Sequence, residues 1–300
     1  MFRNVRLYRL HSDWPESAEE LAGKLLNVAF KPCGSLTERS TGWEAPGGES
    51  ETILVRRLGG ADLVRLRSQT RLLPPAAINE ALEERIREFR KRTQRGPDRK
   101  EKRELKDEVH AELVPQALLK SERTWGFYLA SEKLIGIDTA SDTQAERFLE
   151  TLRDALATLQ VTPLAFKQSL AGLLTRIFLG QGPAGFVPGR ECRMLDPSVG
   201  GASVNWLDIE LTDASVRRHV REGLRLDRLA VVFNDLLSCV IDQEGVLRKL
   251  KLQGLDTAGP EYDAGDNDEP LARLDAEFAI LTGTLRRLLA ALQKQLGGYD

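Results

Sequence analysis

The sequence predicts a mixed α+β protein in which helices pack on antiparallel sheets. Short segments of alternating polar and apolar residues, typical of half-buried strands, recur from residues 5–10 to residues 245–252. Between them lie stretches in which apolar residues recur every three or four positions, as in an amphipathic helix. Hydrophobic residues make up 41% of the 300-residue chain, which is enough apolar material to build a core.

The first quarter of the chain reads as a small antiparallel sheet with one helix laid on it. Its predicted strands and helix lie at residues 5–10, 18–29, 51–58 and 62–73, and Gly59–Gly60 forms the turn between the last two strands. Side chains of a strand alternate between its two faces, so Arg65, Arg67 and Arg71 should share one face. We therefore predict a basic face on that strand.

A helical hairpin is predicted over residues 75–115. Its first helix follows Pro74–Pro75 and ends at Gly96–Pro97. The second helix should begin at once, because Asp98 and Glu101 have the spacing of a capping box. The sequence therefore predicts two helices joined by a short tip.

The hairpin carries a concentrated positive charge. Eleven residues between Arg85 and Lys106 are Lys or Arg and four are Asp or Glu, although the chain as a whole has a formal net charge of only −2. Local potential attracts a polyanion, so a mildly acidic chain can still bind nucleic acid. The candidate phosphate-binding residues here are Arg90, Lys91, Arg92, Arg95, Arg99, Lys100, Lys102, Arg103 and Lys106. The alternative is a solvated helix pair in which Lys and Arg simply pair with Glu.

The rest of the chain continues the α+β pattern. Strands are predicted at 123–130, 133–140, 202–211, 228–233, 236–242 and 245–252, and helices at 141–156, 164–179 and 213–222. Arg217, Arg218 and Arg221 on the last of these helices could extend the phosphate-binding surface. A final helix with leucines from Leu271 to Leu292 should bury its apolar stripe. We predict an N-terminal lobe of residues 1–160 and a C-terminal lobe of residues 161–300.

Several motifs that suggest other functions are weak. GQGPAG at residues 180–185 matches a dinucleotide-binding fingerprint but does not lie between a strand and a helix, so we interpret it as a loop and predict no cofactor. The three cysteines, Cys33, Cys192 and Cys239, lie far apart in the sequence and show no CxxC or Cys/His ligand spacing, which argues against a disulfide framework and a structural zinc site. The three histidines show no local nucleophilic motif.

An acidic segment balances the basic one. Eight acids lie between Asp256 and Glu277, and EYDAGDNDE within it lacks the glycine and terminal glutamate of a calcium-binding EF-hand loop. We interpret it as a solvated loop. A rival hypothesis is a metal-dependent nuclease using Asp263, Asp266 and Asp268. No apolar run approaches the roughly 20 residues of a membrane span, so we expect a cytoplasmic protein.

Five motifs in fixed order resemble the recombination-associated protein RdgC family over nearly the whole chain. They are FRNVRLYRL from Phe2, AFKPCGS from Ala29, GW from Gly42, LKDEV from Leu105 and DAEFAILTGTL from Asp275. The resemblance implies a nucleoid-associated protein without catalytic activity. It also implies a crescent-shaped monomer that forms a ring-shaped homodimer and binds double-stranded DNA with little sequence preference. Such a ring would restrict access of the RecA recombinase to DNA.

The resemblance also bears on single residues. Lys106 lies inside the shared LKDEV motif. Gln116 and Leu118 stand where a family member has Arg and Phe, so an apolar contact at Leu118 is implied and an Arg contact is not. The segment NWLDIE before residue 211 stands where a family member has lysines, so the lysine contacts to DNA are not implied here. Trp206 in this segment is a candidate to replace them. The rival hypothesis from another class is a protein-interaction module that contacts the recombinase directly and binds DNA only incidentally.

Overall fold

The fold consists of two antiparallel sheets and the helices packed on them. The structure is a computed structural model and describes residues 2–48, 51–198, 200–253 and 269–300. The strands are β1 Arg6–Leu10, β2 Arg39–Glu44, β3 Arg56–Leu58, β4 Ala61–Leu72, β5 Leu118–Leu129, β6 Leu134–Ile137, β7 Val161–Pro163, β8 Phe186–Leu195, β9 Ser203–Leu207, β10 Arg225–Phe233, β11 Leu237–Asp242 and β12 Leu247–Leu252. The helices are α1 Ala18–Leu26, α2 Pro75–Thr93, α3 Arg99–Leu113, α4 Asp142–Leu156, α5 Leu170–Phe178, α6 Ala214–Arg221 and α7 Glu269–Leu296. The predicted α+β class with antiparallel sheets is confirmed.

The first sheet has the strand order β2-β4-β5-β6-β1-β7, and β3 also pairs with β4. Its longest ladder joins β4 to β5 from Ala61 opposite Leu129 to Leu72 opposite Leu118. Both strands run twelve residues. This ladder is the feature that positions the helices α2 and α3, which lie between its two strands in the sequence.

The second sheet has the strand order β12-β11-β10-β8-β9. The segment before β1 connects the two sheets, because Val5 and Leu247 exchange backbone hydrogen bonds of 2.7 and 2.9 Å. Leu250 also donates its backbone N–H to the carbonyl of Arg3. The edge strand β12 is therefore tied to the chain that enters the first sheet.

Two apolar cores form on the two faces of the first sheet. One core packs α1 and α4 against sheet residues such as Val64, Leu66 and Tyr128. The other continues into the second sheet and includes α5 and α7. Gly126 is required between strand and helix, because a Cβ there would collide with the ring of Phe148. Since the second core contains residues from both sides of residue 160, the two-lobe boundary stays a prediction.

The apolar stripe of α7 lies in that second core. Leu281 is 2% exposed, and Phe278, Leu285, Leu288 and Leu292 are buried with it. The predicted burial of the central part of the stripe is thereby confirmed. Helix α7 thus acts as a shared support under the two sheets.

The sequence analysis predicted no element between residues 180 and 201, because this stretch is rich in Gly and Pro. The structure has a strand there, β8, which lies between β10 and β9 and contains Pro188 and Gly189. The ladder tolerates the proline because its register with β10 shifts between Leu229 and Val231, next to the pairing of Pro188 with Val231. The preceding segment GQGPAG forms a loop between α5 and β8, as predicted.

Smaller differences also have physical reasons. Strand β2 was not predicted because RSTGWE is mostly polar, and Gly42 within it lets the backbone of Phe30 approach closely, where a Cβ would lie 2.6 Å from the Phe30 Cα. The predicted strand 51–58 contains only the short β3. The predicted helix 164–179 begins six residues later, at Leu170. In the described part of the chain, no helix is long and apolar enough to cross a membrane.

Candidate nucleic-acid interface

Helices α2 and α3 lie at the end of the β4–β5 ladder. The last ladder pair is Leu72 opposite Leu118, α2 begins at Pro75, and a single 3₁₀ turn at Val114–Gln116 leads from α3 back to β5. The predicted pair of helices is present with nearly the predicted boundaries. We refer to the two helices and their connection, residues 75–113, as the α2–α3 pair.

A narrow apolar seam and one ion pair hold the two helices together. Leu82 and Val109 are buried, whereas Ile86 and Phe89 are half-buried. Arg85 on α2 donates to both carboxylate oxygens of Glu112 on α3, at 2.5 and 2.6 Å. Most of the remaining surface of both helices is exposed to solvent.

The connection between the helices is fixed by the predicted capping box. The Asp98 carboxylate accepts hydrogen bonds from the backbone N–H groups of Lys100 and Glu101 at 2.8 Å, and the Glu101 carboxylate accepts from the N–H of Asp98 at 2.8 Å. Arg95 adds a bidentate ion pair to Glu101 at 2.6 and 2.7 Å. Hydrogen bonds from Arg95, and then from the Asp98 N–H, lower the pKa of Glu101 to about 2.

The four acids of the basic segment are all engaged locally. Glu101 pairs with Arg95, Glu104 lies 3.8 Å from Lys100, Glu88 lies 3.7 Å from Arg85, and Asp98 caps α3. Of the eleven Lys and Arg residues counted there, three are thus paired and eight remain. These eight are exposed and have no ion-pair partner among the described residues: Arg87, Arg90, Lys91, Arg92, Arg99, Lys102, Arg103 and Lys106.

The basic face of β4 exists, but its arginines bind within the chain. Arg65 is an ion-pair partner of Glu44 and lies 5.0 Å over the ring of Trp125, and burial lowers its pKa. Arg71 donates to backbone carbonyls, including that of Gly34 at 2.9 Å. Arg67 stacks on a ring and contacts Glu44 weakly, at 3.5 Å. A role of Arg65, Arg67 and Arg71 in binding a ligand stays a prediction.

The third basic group lies on α6. Arg218 pairs with Glu222 at 3.2 Å, and Arg217 approaches the loop at Gly180. Arg221 is exposed. Within the described ranges, no hydrogen bond or ion pair connects α6 with the α2–α3 pair, so one continuous surface across all three basic groups stays a prediction.

An apolar spot marks the junction of the ladder and the helices. Leu118 is 76% exposed, and Leu72 directly opposite it is 48% exposed. Leu119 beside them is 45% exposed. Leu118 is therefore accessible for the apolar contact that the family resemblance implied. The partner in that contact stays a prediction.

Sequence reasoning missed the contribution of Arg123. Its Nε lies 2.7 Å from the carboxylate of Glu44, which also binds Arg65. The even spacing of Arg123 and Trp125 in the predicted strand 123–130 is the one sequence signal that would have put them on a shared face. The register with β4, which places Arg123 opposite Arg67, is a tertiary property that the local pattern does not contain.

The alternative sites do not assemble in the described ranges. His11, His110 and His219 contact Thr162, Glu38 and Glu222 respectively, so they do not meet. No cluster of three or more metal-ligating side chains occurs among the described residues. Asp263, Asp266 and Asp268 lie outside those residues, as does the acidic loop except Glu269, the first residue of α7.

Comparison with known proteins assigns the chain. A family model described as "Putative exonuclease, RdgC" matches residues 1–299. Proteins named Recombination-associated protein RdgC are similar over nearly the full length of both chains. The one from Halorhodospira halophila is 34% identical, with 99% of this chain and 98% of the relative covered. Those from Shewanella oneidensis and Pseudomonas fluorescens are 30% and 31% identical. In both comparisons 100% of this chain and 98% of the relative are covered. The chain therefore belongs to the RdgC family of recombination-associated proteins.

Proposed function

We propose that this protein binds double-stranded DNA without sequence preference through the α2–α3 pair. The observation that carries the proposal is the set of eight exposed cations without an acid partner in the described residues. Cations neutralised by neighbouring carboxylates release few counterions from DNA, whereas free cations release one each when they contact phosphates. The three paired cations stabilise the α2–α3 pair itself, and the eight unpaired ones would contact DNA phosphates.

The contacts should position the protein without reading bases. Lys and Arg contacts to phosphate carry no direct sequence information. The exposed cations of the α2–α3 pair are such side chains, although ten Asp and Glu residues lie among them in residues 75–113. If all eight cations reached phosphates, the slope of log binding constant against log salt would be about −7 per protomer. Steep salt dependence and equal affinity for unrelated duplexes are the expected signature.

We further propose that the protein restricts recombination by occupying the duplex. Two copies would close into a ring around DNA, with the exposed Leu118 available for an apolar contact. Bound in this way, the protein would limit the access of the RecA recombinase sterically and perform no chemistry on the strand. This proposal is consistent with the recombination-associated names of the relatives. A protein that coats chromosomal DNA in this way would be associated with the nucleoid.

The test of DNA binding is a titration of two unrelated duplexes by fluorescence anisotropy between 50 and 300 mM KCl. We expect equal affinities and a steep negative slope. Affinity that does not change with salt, or that differs strongly between the duplexes, would contradict the proposal. Incubation of an end-labelled duplex with Mg²⁺ or Mn²⁺ tests the exonuclease description of the family, and we expect the label to stay on full-length strands.

Encirclement has its own measurement. The protein is loaded on a circular plasmid and on the same plasmid cut once, the salt is raised, and the two dissociation rates are compared. A ring on a closed circle has no DNA end to leave by, whereas a surface-bound protein dissociates from both substrates alike. Slower loss from the circle is expected, and equal rates would refute the ring while leaving DNA binding intact.

A further inference from the structure

A second cationic group lies on the first sheet, away from the α2–α3 pair. The register places Glu44 opposite Arg65, and Arg67 opposite Arg123. Residues directly opposite each other on antiparallel strands point to the same face, and Arg65 and Arg67 are two positions apart. All four side chains therefore share one face, and we name them the Glu44 cluster.

The Glu44 cluster contains more positive charge than its own carboxylate can neutralise. The Glu44 carboxylate lies 2.9 Å from Arg65, 2.7 Å from Arg123 and 3.5 Å from Arg67. Glu51, the other carboxylate that acts on Arg65, is bonded to Arg56. Three guanidinium groups thus share one carboxylate. The direct pairing of Arg67 with Arg123 is unfavourable in a sheet, because like charges repel at that distance.

The cluster also retains unused hydrogen-bond donors. Arg123 directs its Nε to Glu44, and its two terminal nitrogens have no acceptor within the described ranges. The terminal nitrogens of Arg67 make only long contacts, 3.5 Å to Glu44 and 3.4 Å to the Ser121 hydroxyl, and its buried Nε has no partner. The side chains of Arg67 and Arg123 are 20% and 42% exposed, so solvent and ligands can reach them.

Aromatic rings hold the cluster in place before any ligand binds. The guanidinium of Arg67 lies 4.4 Å from the ring centroid of Phe30, and that of Arg65 lies 5.0 Å from the ring centroid of Trp125. Stacking fixes the plane of a guanidinium group. Of the two arginines nearest to each other across the ladder, Arg67 is held by its ring contact and Arg123 by its 2.7 Å ion pair with Glu44. Guanidinium groups held in this way suit binding of a phosphate.

We propose that Arg67 and Arg123 form a phosphate-binding site, and that its occupant is a backbone phosphate of the same DNA that the α2–α3 pair holds. This inference rests on the proposed function. The site lies five residue pairs from Leu72 and Leu118, about 17 Å at roughly 3.4 Å per residue. Leu72 and Leu118 mark only the base of the α2–α3 pair, and its free cations begin at Arg87, roughly 18 Å further along α2 at about 1.5 Å per residue. A duplex of about two helical turns, at roughly 34 Å per turn, is long enough to reach both places.

The test compares two double variants with the same change in charge. Arg67→Gln with Arg123→Gln removes the proposed site. Arg39→Gln with Arg147→Gln is the matched control, since these two arginines also repel each other but belong to the opposite face of the sheet, where α4 packs. Both variants lose a like-charge repulsion. The site variant also loses the ion pairs of Arg67 and Arg123 with Glu44, but Glu44 keeps Arg65 as its partner, so we expect both variants to fold with a Tm close to that of the wild type. A large fall in Tm of the first variant would indicate that its arginines are purely structural.

Two readouts separate the possible ligands. We expect the site variant to bind a duplex about tenfold more weakly at 0.1 M salt and the control to stay within about twofold. We also expect inorganic pyrophosphate to raise the Tm of the wild-type protein and of the control, and not that of the site variant. The pyrophosphate readout remains valid even if the wild-type protein binds no duplex, an outcome that would refute the proposed function by itself.

The remaining outcomes decide against the inference. Loss of the pyrophosphate effect with unchanged duplex affinity would make free phosphate the ligand and overturn the assignment to DNA. Equal losses of affinity in both variants would show that binding follows net charge and not this site. No change in either readout would show that the Glu44 cluster binds no phosphate.

Discussion

Substitution of Lys102 and Arg103 by Gln should weaken DNA binding by an amount that can be calculated. Both side chains are exposed on α3, and neither has an ion-pair partner among the described residues. If each contacts one phosphate, the log–log salt slope should become shallower by about 0.9 per residue, or about 1.8 for both. For proteins whose affinities converge at 1 M salt, this corresponds to about 60-fold weaker binding at 0.1 M.

The matched control removes the same charge from paired residues. Arg85 and Arg95 bind Glu112 and Glu101, so their replacement by Gln should change the slope by less than about half a unit. Circular dichroism checks that both double variants keep their helices. Arg95 and Lys100 belonged to the set selected from the sequence, but their pairing with Glu101 and Glu104 makes them weaker choices than Lys102 and Arg103.

The assay is fluorescence anisotropy with two duplexes of unrelated sequence over a range of KCl concentrations. Both duplexes should lose affinity equally, because phosphate contacts carry no base information. An unchanged slope in the folded Lys102/Arg103 variant would place the DNA-binding surface elsewhere. Equal effects of the two double variants would mean that net charge and not local contact governs binding.

Three further predictions concern the fold and its ionisable groups. Leu281→Ala should lower the free energy of unfolding by about 2–5 kcal/mol in urea denaturation, whereas Ile280→Ala, at a position that is 43% exposed, should cost much less; loss of a dimer at unchanged monomer stability would instead put Leu281 at a subunit contact. In Arg95→Gln the pKa of Glu101, about 2 in the wild type, should rise toward its ordinary value in an NMR titration; because the folded pKa is lowered, the stabilisation is present above the unfolded value and is lost as the pH falls toward 2. Burial raises the pKa of Cys192 and Cys239 to about 12, so iodoacetamide at pH 8 should label the partly exposed Cys33 and leave those two thiols unmodified until the protein unfolds.

Local signals predicted the helices better than the strands. The α2–α3 pair and its capping box were predictable because Pro, Gly, Asp98 and Glu101 act on their immediate neighbours. Strand β2 was missed because its polar sequence forms a strand only through its pairing with β4. Strand β8 was missed because the sheet accommodates its proline through a register shift against β10. Both pairings depend on residues that are distant in the sequence. Sequence also predicted the shared face of Arg65 and Arg67.

Whether each arginine has an ion-pair partner could not be predicted from the sequence. Spacing places Arg65 on a basic face, but only the fold brings Glu44 to it. The same limit applies to Arg123, whose importance depends on its position opposite Arg67. Counting charges along the chain therefore identified the basic segment correctly and did not distinguish paired from free cations.

The placement of the α2–α3 pair within a strand ladder has a mechanical consequence. The pairing of Leu72 with Leu118 holds the two ends of residues 73–117 side by side. The entropic cost of bringing these ends together is therefore met when the sheet forms, and does not depend on whether α2 and α3 are folded. The helices can then open, unfold locally or turn as one unit without loosening either core, since they share few buried side chains with the rest of the molecule. Hydrogen exchange should accordingly be fast in α2 and α3 and slow in β4 and β5 next to them.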